Sequence, residues 1–253
     1  MATKTRPSGS NTADSALPRT GPVLEARNLS VGYGPIPVLR EINLNVSAGE
    51  VVALLGVNGA GKTTTVRALA GELKPTSGEV WFKGEPTTAP LHRRAKAGLR
   101  LIPEERSVFM TLSTADNLRL GGQSRDRALQ LFPELEKLLS RKAGLLSGGE
   151  KQILTLARAL ASDPVVLLVD ELSLGLAPLV FQRLLLAVRE AADRGAAILL
   201  VEQHIRQALN VADRAYVLSR GQVAIEGPAP ELLGRIDEIE KTYLATAEFD
   251  RTD

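Results

Sequence analysis

Apolar positions along the chain follow two rhythms. The runs Glu50–Leu55, Val165–Val169 and Ala196–Val201 are almost continuously apolar and only five or six residues long. Runs so short and so uniform have no polar face to offer water, which predicts strands buried on both sides of a sheet. Other segments carry apolar residues at three- and four-residue spacing. Thr63–Ala70, closed by Gly71, and Leu179–Arg194, ended by Gly195, read as helices, as do Ile205–Ala212 and Glu231–Thr246. Buried strands alternating with helices predict an α/β fold with a mostly parallel sheet covered on both faces.

A third pattern marks the ends of the chain. Val23–Leu29 and Ile42–Val46 alternate as short strands around a Gly- and Pro-containing loop, Gly32–Val38. Pro75–Gly78 reads as a turn leading to a strand, Glu79–Lys83, and Arg214–Ser219 with Gln222–Glu226 reads as a hairpin around Arg220 and Gly221. From Leu91 to Gly144 the strand signal shrinks to Leu99–Ile102 and helical spacing takes over. Ala128, Leu129, Leu131, Phe132, Leu135, Leu138 and Leu139 show it, with a break at Pro133. This stretch reads as a helical insertion, at about 91–148, in a single domain covering 23–253.

Composition narrows the chemistry. The 253 residues contain no cysteine, which excludes disulfides and thiolate sites, and the two histidines argue against a His-rich metal site. No apolar run approaches the roughly 20 residues a membrane-spanning helix needs. Lys4, Arg6 and Arg19 against Asp14 account for the whole net charge of +2. The rest of the chain is neutral overall, which argues against a nucleic-acid partner. Residues 1–22, rich in Ser, Thr, Pro and Gly and without an apolar stretch, read as a disordered tail and not as a signal peptide.

Three short segments carry chemistry. Gly56-Val57-Asn58-Gly59-Ala60-Gly61-Lys62-Thr63 fits the spacing G-x-x-x-x-G-K-[ST] between a buried strand and a helix. Glycines let backbone N–H groups curl around phosphates, and the helix start favours negative charge. Lys62 is placed to reach the β- and γ-phosphates, and Thr63 to hold Mg²⁺. Asp170 and Glu171 end the strand Val165–Val169. Such a pair is either a solvated turn or, beside a phosphate loop, a Mg²⁺ partner followed by a general base. In Leu146-Ser147-Gly148-Gly149-Glu150, Ser147 and Glu150 form a capping box for a helix Glu150–Ala161. The two glycines also leave N–H groups open at a positive helix end, where an anion can sit.

Along the chain, Gly56–Thr63, Leu146–Glu150 and Val165–Glu171 resemble the Walker A, signature and Walker B motifs, in that order, of the ATP-binding cassette ATPases, over roughly Val23 to Thr246. The resemblance implies a P-loop NTPase core, an N-terminal antiparallel β subdomain and a helical subdomain. It also implies MgATP as the bound and hydrolysed species, held by Gly56–Thr63 and Thr64. A head-to-tail dimer follows from it, in which Ser147, Gly148 and Gly149 of one subunit close on the ATP of the other. By position, Tyr33 resembles the aromatic that stacks on adenine; without the family it reads as a loop tyrosine packed on its strand.

Ile102–Phe109, Ser173–Pro178 and Val201-Glu202-Gln203 are similar to one subgroup, the second ATP-binding subunits of branched-chain amino acid importers, with urea or amide importers as neighbours. That resemblance implies permease subunits, a second ATP-binding subunit in a heterodimer or homodimer, and an extracytoplasmic binding protein acting indirectly. It places the chain peripherally on the cytoplasmic face of the membrane. Four positions depart from the wider family. Glu104 stands for the usual Gln, Gln203 for the switch His, Ala177 for an Asp, and Leu172 for the Pro after the base. The first three are shared with the subgroup. Gln203 is therefore assigned beside Glu171 in the catalytic set, with a weakly hydrolysing regulatory nucleotide-binding subunit as the alternative that Gln203 and Leu172 leave open, and His204 reads as a helix-start residue. Phe109, in the linker Pro103–Leu118, reads either as a core side chain or, by resemblance, as part of the permease-docking region.

Overall fold

A computed structural model describes residues 21–105, 107–120 and 124–249. The expected tail lies almost wholly outside the described residues. Strands β1 (Pro22–Tyr33) and β2 (Ile36–Ser47) form an antiparallel hairpin. They are much longer than the alternation suggested, and the expected loop Gly32–Val38 contracts to the turn at Gly34 and Pro35. Register shifts between Ala26 and Leu29 and between Leu29 and Val31 break the in–out rhythm that marks a strand in sequence. Pro37 is tolerated because β2 is an edge strand.

Strand β3 (Val51–Leu55) leads through Gly56–Gly61 into α1 (Lys62–Ala70), which stops at the left-handed Gly71. After it, β4 (Ser77–Phe82) and β5 (Glu85–Pro86) complete a four-stranded antiparallel sheet in the order β2-β1-β4-β5. Helix α2 (Leu91–Lys96) precedes β6 (Leu99–Ile102). Helices α3 (Thr114–Arg119) and α4 (Arg125–Leu131) and a 3₁₀ turn at Pro133–Leu138 then pack on α5 (Gly148–Leu160). The remainder alternates β7 (Val166–Asp170), α6 (Pro178–Asp193), β8 (Ala197–Glu202) and α7 (Ile205–Val211). It closes with β9 (Arg214–Ser219), β10 (Gln222–Pro228), α8 (Ala229–Leu233) and α9 (Ile236–Phe249).

The second sheet has the order β10-β9-β3-β8-β7-β6 and is parallel except for β10. The helical stretch expected from Leu91 is therefore interrupted. Strand β6 pairs with β7 at the sheet edge, and the helices that stand off the sheet begin only after Ile102. The single helix expected at Glu231–Thr246 is two, α8 and α9. Strand β3 shows why its sequence is apolar throughout. Val51, Ala53 and Leu55 pack with Leu154, Leu184 and Leu209 on one face, while Val52 and Leu54 pack with Leu24, Leu39 and Leu69 on the other. The antiparallel sheet and α1 cover one side, and α5, α6 and α7 the other.

Candidate functional site

The carboxyl ends of β3, β8 and β7 lie side by side, with Leu55 opposite Glu202 and Asp170 opposite Val201. Each strand stops where the chemistry begins, the usual place for a ligand on an open parallel sheet. The loop after β3 needs glycine at Gly61, whose φ is 104° and where a Cβ would come within 2.6 Å of Leu39 Cδ2. From the resulting helix start, Lys62 folds back. It is 4% exposed, and its Nζ donates to the carbonyls of Gly56 at 2.9 Å and Val57 at 3.0 Å. Burial lowers the Lys62 pKa, opposed by the nearby charges of Glu171 and Asp170.

Asp170 is 2% exposed at the end of β7. Burial raises its pKa to about 6, against a hydrogen bond from the Thr63 hydroxyl that favours the charged form. Its Oδ1 is buried with no hydrogen-bond partner among the described residues. The charge is therefore poorly compensated by the surrounding protein groups. Because the folded pKa lies above the unfolded value of 3.8, the cost is fully present above pH 6 and fades between about 6 and 4. Asp170→Asn is expected to stabilise the nucleotide-free chain at pH 8 by about 1–2 kcal/mol. That advantage disappears by pH 4. Melting temperatures of both forms across this range check the sign.

Glu171 follows in a left-handed conformation, φ 51°, and its N–H donates to Val201 O at 3.1 Å. Its Oε1 accepts from Gln203 Nε2 at 2.7 Å and lies 3.7 Å from Lys62 Nζ. These groups border a cleft of about 510 Å³ that also takes in Asn58, Gly59, Gly61, Thr63, Thr64 and Glu104. The phosphate loop, Glu104, Glu171 and Gln203 thus converge, although more than 140 residues separate the first from the last. Asp170 joins them through Thr63.

Other expected residues stand apart. Tyr33, 47% exposed, sits at the end of β1 near Arg67 and does not line the cleft. Ser147 caps α5, its Oγ accepting from Glu150 N at 3.3 Å while its own N–H donates to Glu150 Oε2 at 2.7 Å, as the capping box requires. The Ser147 N–H is the main reason Glu150 has a lowered pKa. Neither Ser147 nor Gly148 nor Gly149 borders the cleft; they lie apart from it, at the N-terminus of α5. His204 is the N-terminal cap of α7, with its ring 5.9 Å from that of Phe181.

Two features escaped the sequence reading. Glu202, fully buried, accepts hydrogen bonds from Ser173 and Gln203; burial raises its pKa and these bonds oppose the rise. A buried acid at the end of an apolar strand was the available signal. The Gly221 turn closes behind the phosphate loop, donating from its N–H to Ala60 O at 3.1 Å. Its long separation in sequence from Ala60 left no signal.

The ABC transporter family model matches residues 39–173, which span the phosphate loop, the signature segment and the Asp170–Glu171 pair. A high-affinity branched-chain amino acid transport ATP-binding protein of Pseudomonas aeruginosa is 38% identical, with 83% of this chain and 95% of the relative aligned. A lipopolysaccharide export system ATP-binding protein of Acidithiobacillus ferridurans is 37% identical over 83% and 92% of the two chains. Among solved structures, the ADP conformation of an ATP-binding cassette of an ABC transporter has a TM-score of 0.79 at 25% identity, covering 89% of this chain and 99% of that one. Phosphate loop, paired acids and fold agree: the chain belongs to the ATP-binding subunits of ABC transporters, ATPases whose hydrolysis is coupled to transport.

Proposed function

We propose that this chain hydrolyses ATP at the cleft between Lys62 and Gln203 and so energises an importer of branched-chain amino acids. The single observation that carries the chemistry is the bridge from Gln203 Nε2 through Glu171 Oε1 to Lys62 Nζ, at 2.7 and 3.7 Å. It puts a carboxylate, an amide and a cation around one point at the mouth of the phosphate loop. The loop N–H groups and Lys62 bind the β- and γ-phosphates once Lys62 releases the Gly56 and Val57 carbonyls. Glu171 then accepts the proton of a water attacking the γ-phosphorus, and Gln203 orients that carboxylate.

Thr63 and Asp170 fit a Mg²⁺ ion. The buried, unpartnered Oδ1 of Asp170 is an oxygen donor beside the Thr63 hydroxyl. No cluster of three acidic or histidine ligands exists among the described residues, which suits an ion that takes its other oxygens from water and phosphate. When bound, Mg²⁺ neutralises charge on the β- and γ-oxygens. Glu104, facing the same cleft, is placed to hold a water there. In this reading Tyr33 stacks on the adenine. Ser147, Gly148 and Gly149 complete the site of a second ATP-binding subunit across a head-to-tail dimer.

Two relatives of nearly equal identity name different cargo, amino acids and lipopolysaccharide. The sequence Val201-Glu202-Gln203 favours the first, since it resembles the importer subgroup and export ATPases commonly carry His at the position of Gln203. Labelled leucine uptake, compared with lipopolysaccharide delivery, separates the two.

For the permease subunits, the supporting surface is a groove of about 680 Å³ between β6 and α5, bordered by Ile102, Phe109, Leu120 and Arg158. Phe109 is 55% exposed there, with the Arg158 guanidinium 5.7 Å from its ring, so it is not a core side chain. Among the described residues no helix is long and apolar enough to cross a membrane, so transport requires membrane partners. In this reading the chain sits at the cytoplasmic face of the membrane, with an extracytoplasmic binding protein acting through the permease and no nucleic acid involved. Phe109→Ala is expected to weaken copurification with the permease by about tenfold while ATP affinity stays within a factor of about two. Unchanged copurification and uptake place the docking surface elsewhere.

A further inference from the structure

We infer that Glu202 is a positioning residue that clamps the Glu171 loop to the Gln203 loop and so sets the distance between the base and its partner. The inference rests on the reading of Glu171 as the base. Glu202 is the last residue of β8 and is 0% exposed. A buried carboxylate is costly to desolvate unless hydrogen bonds compensate it. Its compensation comes from both loops. Oε1 accepts from Ser173 N at 3.0 Å, and Oε2 accepts from Ser173 Oγ at 2.8 Å and from Gln203 N at 3.3 Å. Ser173 lies two residues after Glu171, and Gln203 is the residue whose amide holds Glu171. The carboxylate therefore ties together the two segments whose separation decides whether that 2.7 Å bond forms.

Two further features say the clamp matters here. Glu171 has a φ of 51°, which a residue with a Cβ does not prefer and which its surroundings must impose. The next residue is Leu172, so no proline ring fixes the backbone that leaves the base. On this side the turn is held by the burial of Leu172 and by the Ser173 bonds to Glu202. A neutral amide at position 202 keeps the size but loses one acceptor, and turns an N–H₂ toward the Ser173 N–H or hydroxyl. The base is then misplaced while the phosphate loop, on β3, is untouched.

The test measures ATP hydrolysis by the assembled transporter carrying Glu202→Gln, Ser173→Ala, Ser173→Thr or Glu171→Gln, with melting temperature and equilibrium ATP affinity for each. Glu202→Gln is expected to lower kcat by about 10–100-fold, the scale of a misplaced catalytic group, with KM and ATP affinity within about threefold. Ser173→Ala should lower kcat by about 3–10-fold, a fraction of that effect, and Ser173→Thr, which keeps the hydroxyl, should restore it. Added to Glu171→Gln, Glu202→Gln should reduce the residual rate no further, because its effect passes through the base. Wild-type kcat in both Glu202→Gln and Ser173→Ala overturns the inference, and so does a change confined to melting temperature. If Glu202→Gln does not fold, Ser173→Ala against Ser173→Thr decides. If Glu171→Gln itself retains turnover, the base reading has failed and this inference with it. If Glu171→Gln is inactive while Glu202→Gln and Ser173→Ala are not, this inference alone fails.

Discussion

Glu171→Gln is expected to leave ATP binding intact and to cut turnover by at least about 100-fold in the assembled transporter. The side chain keeps its length, so Gln203 and Lys62 retain a carbonyl oxygen near the position now held by Oε1. What is lost is the ability to accept a proton from water, because an amide is not a base at neutral pH. ATP then binds and closes the dimer but is not consumed, and the ATP-bound dimer accumulates. Size-exclusion chromatography with ATP, beside a phosphate-release assay, reads both halves of the result. Undiminished phosphate release removes Glu171 from the role of base. The left-handed φ of 51° at this position sharpens the expectation. The backbone aims this one side chain into the cleft, and its neighbour Leu172 is buried 1% exposed in the core and is not available to replace it.

Lys62→Ala is expected to fail at the earlier step. The ammonium is buried, with a pKa lowered by desolvation, and it donates to the carbonyls of Gly56 and Val57. Its alternative partners are phosphate oxygens, and charge-assisted bonds in such a dry setting are strong. Removing the ammonium should raise the ATP dissociation constant by about 10–100-fold, corresponding to the roughly 1.5–3 kcal/mol of such a bond. Lys62→Arg should not rescue it, because a forked guanidinium does not fit where a point charge meets two loop carbonyls. Equilibrium titration with a fluorescent ATP analogue separates the two variants, since Glu171→Gln keeps the wild-type affinity and Lys62→Ala binds about 10–100-fold more weakly. Equal affinity in the two variants contradicts the division of roles.

How much of this was legible in the sequence depended on distance along the chain. The phosphate loop was plain because strand, glycines, Lys62 and helix are contiguous and each obeys a local rule. The same holds for the Ser147–Glu150 cap, whose two hydrogen bonds span three residues. Strands β3, β7 and β8 were found because burial on both faces forces an apolar run. Strands β1 and β2 were cut short because bulges at Ala26–Val31 put polar residues out of rhythm. Strand β6 could be seen but not placed, since its pairing with β7 is set by a partner more than 60 residues away. The Gln203–Glu171 bond and the Glu202 clamp are long-range in the same way, and no local spacing encodes them. The Phe109 groove forms only where β6 meets α5, so composition alone left Phe109 undecided between core and surface.

The most direct test of the central claim is uptake of labelled leucine by cells in which this chain is the sole source of the subunit, compared between the wild type and Glu171→Gln at equal expression. Leucine is expected to accumulate with the wild type and to stay at background with the variant. Leucine uptake that does not depend on Glu171, together with a loss of lipopolysaccharide delivery to the cell surface, would contradict it.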